Sequence, residues 1–207
     1  MIAAYVYFSA ERTQRPQLSE RVLDALAKVP RHAYVPAELA HVAYEDTPLP
    51  IGYGKTISQP FMVALMTDLL EIDPGDRVLE VGTGLGYQAA ILAELAAQVF
   101  SIEILEELAG QAQRRLESAG YTNIRLRIGD GSNGWPEHGP FDKIIVTAAP
   151  ELIPPLLLQQ LKSGGKMVIP AGIEENQQLM MVEKDPQGRL TTREILPVRF
   201  SPLIVSH

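Results

Sequence analysis

The residues of this sequence best placed for chemistry are glycines, acids and hydroxyls gathered around a few sharp turns. Val78-Leu79-Glu80-Val81-Gly82-Thr83-Gly84-Leu85-Gly86-Tyr87-Gln88 reads as a buried strand emptying into a glycine-rich turn that opens a helix, the signature of a nucleotide-like ligand. Glu103 follows Gly82 by 21 residues, at the end of a second apolar strand, where a carboxylate can take two ribose hydroxyls. A dinucleotide fingerprint would need glycine at position 87, which is Tyr87; the tighter spacing of Gly82, Gly84 and Gly86 around Thr83 favours S-adenosylmethionine. Without a Cβ, these glycines let the cofactor's amino-acid part and sulfur lie against main chain. Gly129-Asp130-Gly131 forms another sharp turn, in which Asp130 could accept a hydrogen bond from an adenine amino group while the glycines admit the ring. Thr147-Ala148-Ala149-Pro150 offers small residues that leave room above the methyl group. Upstream, Gly54-Lys55-Thr56-Ile57-Ser58-Gln59-Pro60 has two readings: Thr56 and Ser58 cap the helix opened by Pro60, or the loop folds over the cofactor and presents donors to an acceptor group.

These residues need elements to hold them. Helical spacing predicts a short amphipathic helix over 18–28, then an irregular stretch from Pro30 to Pro60 punctuated by Pro36, Pro48, Pro50, Gly52 and Gly54. Pro60 opens a helix through Leu70. Strands and helices then alternate, which predicts a doubly wound parallel α/β sheet with right-handed crossovers. The strands are placed at Arg77–Val81, at a segment ending in Glu103, and at Asn123–Arg127, Lys143–Thr147 and Lys166–Ile169. The helices run from Tyr87 to about Ala97, to about Ala119, and from Pro154 to Leu161, the last closed by Gly164-Gly165. Gln177–Glu183 and Thr191–Val205 read as strands joined through Pro186-Gln187-Gly188 in a hairpin. In such a sheet the ligand lies beyond the carboxyl ends of the strands, where strand order reverses.

Composition narrows the partners. The 207 residues suit a single domain over 1–207: N-terminal helices and a loop over 1–75, a cofactor-binding core over 76–172 and C-terminal strands over 173–207. With 25 acidic against 18 basic residues, a net charge of -7 and no basic run, nucleic acid is not an expected partner. Cysteine is absent, so disulfides and thiolate chemistry are excluded, and four scattered histidines make no metal site; His32, His41 and His138 read as structural or surface residues. Met1–Ala10 is mildly apolar without a basic start, and no segment approaches twenty apolar residues, so a cytoplasmic protein with no membrane partner is expected.

The loop Gly54–Pro60, the words Pro30-Arg31-His32, Tyr34-Val35-Pro36, Tyr44-Glu45-Asp46 and Pro48-Leu49-Pro50-Ile51-Gly52, and the glycine turn with Tyr87-Gln88 together resemble the protein-L-isoaspartate O-methyltransferases. So do Gly129-Asp130-Gly131, Gly134-Trp135-Pro136, Pro140-Phe141-Asp142, Ile145–Pro150, Gly164-Gly165 and Pro197-Val198-Arg199-Phe200. The resemblance implies a Rossmann-like class I S-adenosylmethionine-dependent methyltransferase with an N-terminal helical and loop extension and C-terminal antiparallel strands. It further implies a repair enzyme, acting as a monomer, that methylates the α-carboxylate of isoaspartyl residues in damaged proteins and peptides. The products are S-adenosylhomocysteine and a methyl ester that collapses to succinimide. By resemblance Ser58 is the active-site hydroxyl that orients the carboxylate, Thr56 and Ile57 line the same loop, and Val198, Arg199 and Phe200 contact the substrate backbone. Tyr53, Lys55 and Ser132-Asn133 depart from the family's commoner residues and bear on substrate preference. A small-molecule or nucleobase methylase and a non-catalytic nucleotide-binding module are the competing readings; the first would show a clamp such as Asn-Pro-Pro-Tyr after the fourth strand, where this chain has Thr-Ala-Ala-Pro.

Overall fold

A computed structural model describes residues 17–173 and 175–206; the apolar opening Met1–Ala10 lies outside the described residues. Helix α1 (Glu20–Lys28) precedes two 3-10 turns (Arg31–Tyr34 and Ala37–Val42) and a small antiparallel hairpin of β1 (Leu49–Gly52) and β2 (Lys55–Ile57). Then follow α2 (Pro60–Leu70), β3 (Arg77–Val81), α3 (Tyr87–Ala93), β4 (Gln98–Glu103), α4 (Glu106–Ser118) and β5 (Ile124–Ile128). The chain ends through β6 (Phe141–Val146), α5 (Pro155–Gln160), β7 (Leu161–Ile173), β8 (Asn176–Lys184) and β9 (Leu190–Val198).

The last seven strands form one sheet in the order β5-β4-β3-β6-β7-β8-β9. Strands β3 to β7 pair in parallel, whereas β8 is antiparallel to both β7 and β9. The chain leaves β3 toward β4 and β5, then returns to the other side of β3 with β6, so order reverses beside β3. That is where an open sheet leaves a crevice at its carboxyl edge. Val78 to Val81 are all buried, as expected for a central strand covered on both faces.

Each face has its own apolar layer. One joins α1, α2 and α3 to the sheet through residues such as Val22, Leu65, Leu69, Ile91 and Val168. The other packs Phe100, Phe141, Leu157 and Leu161, with Trp135 against them at 5.7 Å from the Phe100 ring. Every residue of α2 is buried, which is why that helix is apolar all round rather than striped.

Four elements differ from their sequence-based outlines, the last strand among them: β9 stops at Val198 rather than Val205, and the chain after it leaves β8 to bridge Ala149 at Pro202. The Pro30–Pro60 stretch holds 3-10 turns and the β1–β2 hairpin, closed by three successive residues of positive φ: Gly52 (92°), Tyr53 (53°) and Gly54 (66°). Strands this short, with Pro50 inside one, carry no readable alternation. Helix α3 stops at Ala93 rather than near Ala97 because the Asp76 carbonyl accepts from the Ala97 and Gln98 N–H groups and draws the chain into β4. Strand β7 starts at Leu161 and runs through Gly164-Gly165, which form a bulge: Phe141 faces Leu161, but Lys143 faces Lys166. A Cβ on Gly165 would lie 2.7 Å from the Lys162 carbonyl oxygen, so glycine is required by that fold-back.

Candidate active site

The glycine turn is held from three sides. Gly82, with φ at +96°, donates its N–H to the Ile102 carbonyl at 2.8 Å, which ties the turn to the end of β4. Thr147, at the end of β6, donates its hydroxyl to the Gly82 carbonyl at 2.7 Å, and a Cβ on Gly82 would sit 2.4 Å from that hydroxyl oxygen. Gly84 (φ +57°) faces Ile51 of the hairpin, 3.2 Å from where its Cβ would be, and Gly86 (φ +93°) faces Leu116 of α4. The turn therefore needs glycine for its backbone conformation and for its neighbours in the protein as well as for a ligand.

Glu103 ends β4 with only 6% of its surface exposed. One carboxylate oxygen accepts the Gly84 N–H at 2.8 Å and the other the Leu105 N–H at 3.0 Å. A carboxylate has about four lone-pair sites. Two stay available after these bonds, the number a ribose diol needs, and the bonds fix the group in place. Thr83 turns the other way: its hydroxyl shares a hydrogen bond with Ser101, whose hydroxyl donates to the fully buried Glu80. Burial raises the Glu80 pKa to about 8, against the opposing bond from Ser101 and with a smaller push from the Glu103 charge.

The loop before α2 is positioned by a residue that local rules do not find. The first-turn N–H of Phe61 donates to Asp46 Oδ1 at 2.8 Å, across 15 residues of chain. Gln59 stands at the N-cap without a side-chain bond, and among the described residues neither Thr56 nor Ser58 caps the helix. Ser58, half-buried, instead lines the wall of a cleft. Asp46 belongs to the Tyr44-Glu45-Asp46 word, but only the folded hairpin shows its role.

The chain after β9 forms the opposite wall. Ala149 and the 201–203 stretch exchange backbone hydrogen bonds, Ala149 N–H to Ser201 at 2.8 Å and Leu203 N–H to Ala149 at 2.9 Å, in a short parallel bridge. Farther on, the Ser206 N–H donates to Asp130 Oδ2 at 2.8 Å, while Asp130 Oδ1 accepts from Ser132 N–H. Burial alone would raise the Asp130 pKa, but bonds from Ser132 and Ser206 outweigh it and hold it below the usual carboxylate value.

Between these walls, over the carboxyl ends of β3, β4 and β6, lies a cleft of about 680 Å3. That is within the ~300–1,000 Å3 typical of small-molecule and cofactor sites. Of the residues singled out from sequence, Thr56, Ser58, Gly82, Gly84, Glu103, Gly131, Thr147, Ala148, Val198, Arg199 and Phe200 line it. Ile57 and Thr83 line a smaller cavity of about 50 Å3 behind the loop, together with Ser58 and Gly82. Gly86 and Gly129 lie off the cleft, and Asp130 spends its carboxylate on Ser132 and Ser206. The cleft also takes in Ile51, Phe61, Met62 and Leu108, apolar residues whose contribution periodicity alone does not separate from core. His32 bonds the Tyr44 hydroxyl, His138 packs on Phe100 and Trp135, and no described acidic or histidine cluster could hold a metal.

Comparison with known proteins bears on this geometry. The model of the family described as protein-L-isoaspartate(D-aspartate) O-methyltransferase matches residues 6–207. A protein named protein-L-isoaspartate O-methyltransferase 1, from Polaromonas sp. (strain JS666), is 62% identical over 98% of this chain and 86% of its own. A solved structure named protein-L-isoaspartate O-methyltransferase superposes with a TM-score of 0.82 at 28% identity, over 98% of this chain and 65% of that one. A putative protein-L-isoaspartate O-methyltransferase from Plasmodium falciparum, crystallised with S-adenosyl-L-homocysteine, gives the same TM-score over 99% of this chain and 97% of its own. At 23% identity that likeness shows the shared fold.

Proposed function

The chain belongs to the protein-L-isoaspartate(D-aspartate) O-methyltransferase family, and from that premise we propose how its residues carry methyl transfer from S-adenosylmethionine to the α-carboxylate of isoaspartyl residues in damaged proteins and peptides. The observation that supports the assignment of roles is one cleft lined at once by the glycine turn, Glu103, the Thr56–Ser58 loop and the Val198–Phe200 segment. Glu103 offers its two open acceptor sites to the ribose hydroxyls, and Gly82 and Gly84 present main chain to the amino-acid part of the cofactor. Bound there, S-adenosylmethionine supplies an electrophilic methyl group on a sulfonium sulfur.

Ser58 orients the acceptor carboxylate from the hairpin wall, with Thr56 and Ile57 shaping the same loop. Val198, Arg199 and Phe200 take the substrate backbone on the opposite wall. The acceptor is already ionised at neutral pH, so the residues need to align and desolvate it rather than remove a proton. The apolar lining from Ile51, Phe61, Met62 and Leu108 contributes that desolvation. Asp130 ties down the wall after β9 through Ser206 and acts on the adenine end by shaping the turn that carries Gly131. The methyl ester formed has a better leaving group than the carboxylate and closes to succinimide.

The proposal covers residues 1–207 as one unit, a monomer acting in the cytoplasm; no described helix is long and apolar enough to cross a membrane. The test uses methyl-labelled S-adenosylmethionine and two peptides that differ only in aspartyl or isoaspartyl linkage. Base-labile methanol is expected from the isoaspartyl peptide alone. Equal label in both peptides, or none in either, overturns the assignment.

A further inference from the structure

Gln177 is a buried amide in a place where the strand around it needs none. It is the second residue of β8, with 3% of its surface exposed, and lies between Gly172 of β7 and Val198 of β9 in the sheet. In the register of β8 with β9 it faces Val198, the last residue of β9, and the hydrogen-bonded ladder of the sheet stops there. The Gln177 side chain extends the ladder beyond that end. Its Oε1 accepts the Phe200 N–H at 2.7 Å, and its Nε2 donates to the Phe200 carbonyl at 3.2 Å. One side chain thus takes both main-chain groups of a residue that has already left the strand, as a facing strand would.

A buried amide is kept only when its donors and acceptors are satisfied, and here both partners belong to the backbone of the cleft wall. Phe200 lines the cleft, flanked by Arg199 and Ser201, while Gln177 does not line it. The contact therefore fixes the wall from behind. We propose that Gln177 is a positioning residue for substrate: it holds Val198–Phe200 in place along the cleft wall that receives the isoaspartyl peptide. The inference rests on the reading of Val198–Phe200 as the substrate-contacting segment. It does not involve the cofactor side, which is built on β3, β4 and β6 on the far side of the cleft from β8.

The test compares the parent protein with Gln177→Met, which keeps the length and removes both bonds, and Gln177→Glu, which keeps the acceptor for the Phe200 N–H and loses the donor. Loss of two such bonds is expected to raise KM for an isoaspartyl peptide about tenfold in Gln177→Met. Gln177→Glu is expected to fall between it and the parent. In both variants kcat at saturating peptide and the Kd for S-adenosylhomocysteine by calorimetry are expected to stay within about twofold of the parent. A role confined to sheet stability would lower Tm and leave KM alone. Amide hydrogen exchange of the parent protein with and without peptide gives an independent reading of the wall, with slower exchange at 198–200 expected on binding. Protection there together with an unchanged KM in Gln177→Met overturns the role of Gln177 and leaves the reading of the wall standing. No protection at 198–200 overturns that reading and the inference with it. Should Gln177→Met fail to bind S-adenosylhomocysteine, the KM of Gln177→Glu decides on the same criterion.

Discussion

The two walls of the cleft are built by different means. The cofactor wall stands on neighbouring parallel strands: Gly82 bonds the end of β4, Thr147 just after β6 bonds Gly82, and Glu103 bonds Gly84. Its parts hold one another at the centre of the sheet, with buried residues on both faces. The opposite wall leaves the sheet after Val198 and depends on separate polar clamps, at Gln177, Ala149 and Asp130, while the hairpin depends on Asp46. A change in the first wall therefore damages fold and cofactor binding together. Changes in the second can alter substrate handling while the fold and the cofactor site stay intact.

The strongest break of this contrast is Gly82→Ala. Position 82 demands a positive φ and no Cβ, so the variant must push Thr147 away and twist the turn. Backbone strain and a lost buried contact of this kind cost a few kcal/mol, about 2–4, and cofactor affinity is expected to fall at least about a hundredfold alongside Tm. Calorimetry with S-adenosylhomocysteine and thermal melting check both, and parent-like values in either would show that the turn yields more easily than its packing implies. Gly84→Val belongs to the same group, because its side chain would press on Ile51 Cδ1 in the hairpin.

Next in size is Ser58→Ala, in the loop that follows the hairpin. If its hydroxyl aligns the acceptor carboxylate, turnover drops about ten- to a hundredfold, or roughly 1.4–2.7 kcal/mol of transition-state stabilisation. Cofactor affinity and Tm are expected to hold, since Asp46 rather than Ser58 satisfies the first turn of α2. Asp46→Ala sharpens the point, with an expected stability loss of about 1 kcal/mol from the missing cap. A Tm loss in Ser58→Ala with full turnover would reverse these two roles.

Glu103→Ala tests the cofactor wall more gently. Its charge-assisted bonds to the ribose hydroxyls would go, and the Kd for cofactor is expected to rise at least about tenfold. Because the carboxylate also holds Gly84 and Leu105, a drop in Tm is expected with it. An unchanged Kd removes Glu103 from the site.

The smallest expected effect lies beneath the turn. Glu80 has its pKa raised to about 8 in the folded protein from an ordinary value near 4.5, chiefly by burial. The folded state then holds a proton that the unfolded chain has lost, so this contribution to stability is present at pH below about 4.5 and fades as pH rises through 8. Glu80→Gln removes the titration and is expected to raise Tm by about 2–4 °C at pH 8 and by less at pH 5. A variant that gains nothing at pH 8 would mean Glu80 is held ionised in the fold.

The cofactor wall was legible in the sequence because its signals are local. Glycines two residues apart after an apolar strand, and an acid at the end of the next strand, mark a turn and an anchor within about 20 residues of each other. The bounds of β3 and the ends of β4 and α4 follow from the same short-range periodicity, and the structure moves them by no more than a residue or two. The hairpin escaped because strands of four and three residues, one of them with a proline inside, are too short for an alternation to be recognised. The extension of β7 through Gly164-Gly165 escaped because a bulge satisfies backbone groups that a sequence reading assigns to a turn.

The sequence by itself determined the parallel α/β core, the kind of ligand and the family, since these depend on residue types repeated at fixed short intervals. Tertiary structure alone decided which side chains serve those residues from a distance. Thr83 turned to Ser101, Asp130 was committed to the chain after β9, Asp46 capped α2 and Gln177 clamped Phe200. Hydrogen bonds such as these join residues 15 to 76 positions apart. No periodicity encodes such a pairing: a polar side chain finds its partner only when packing of the apolar layers has excluded water and brought the two together.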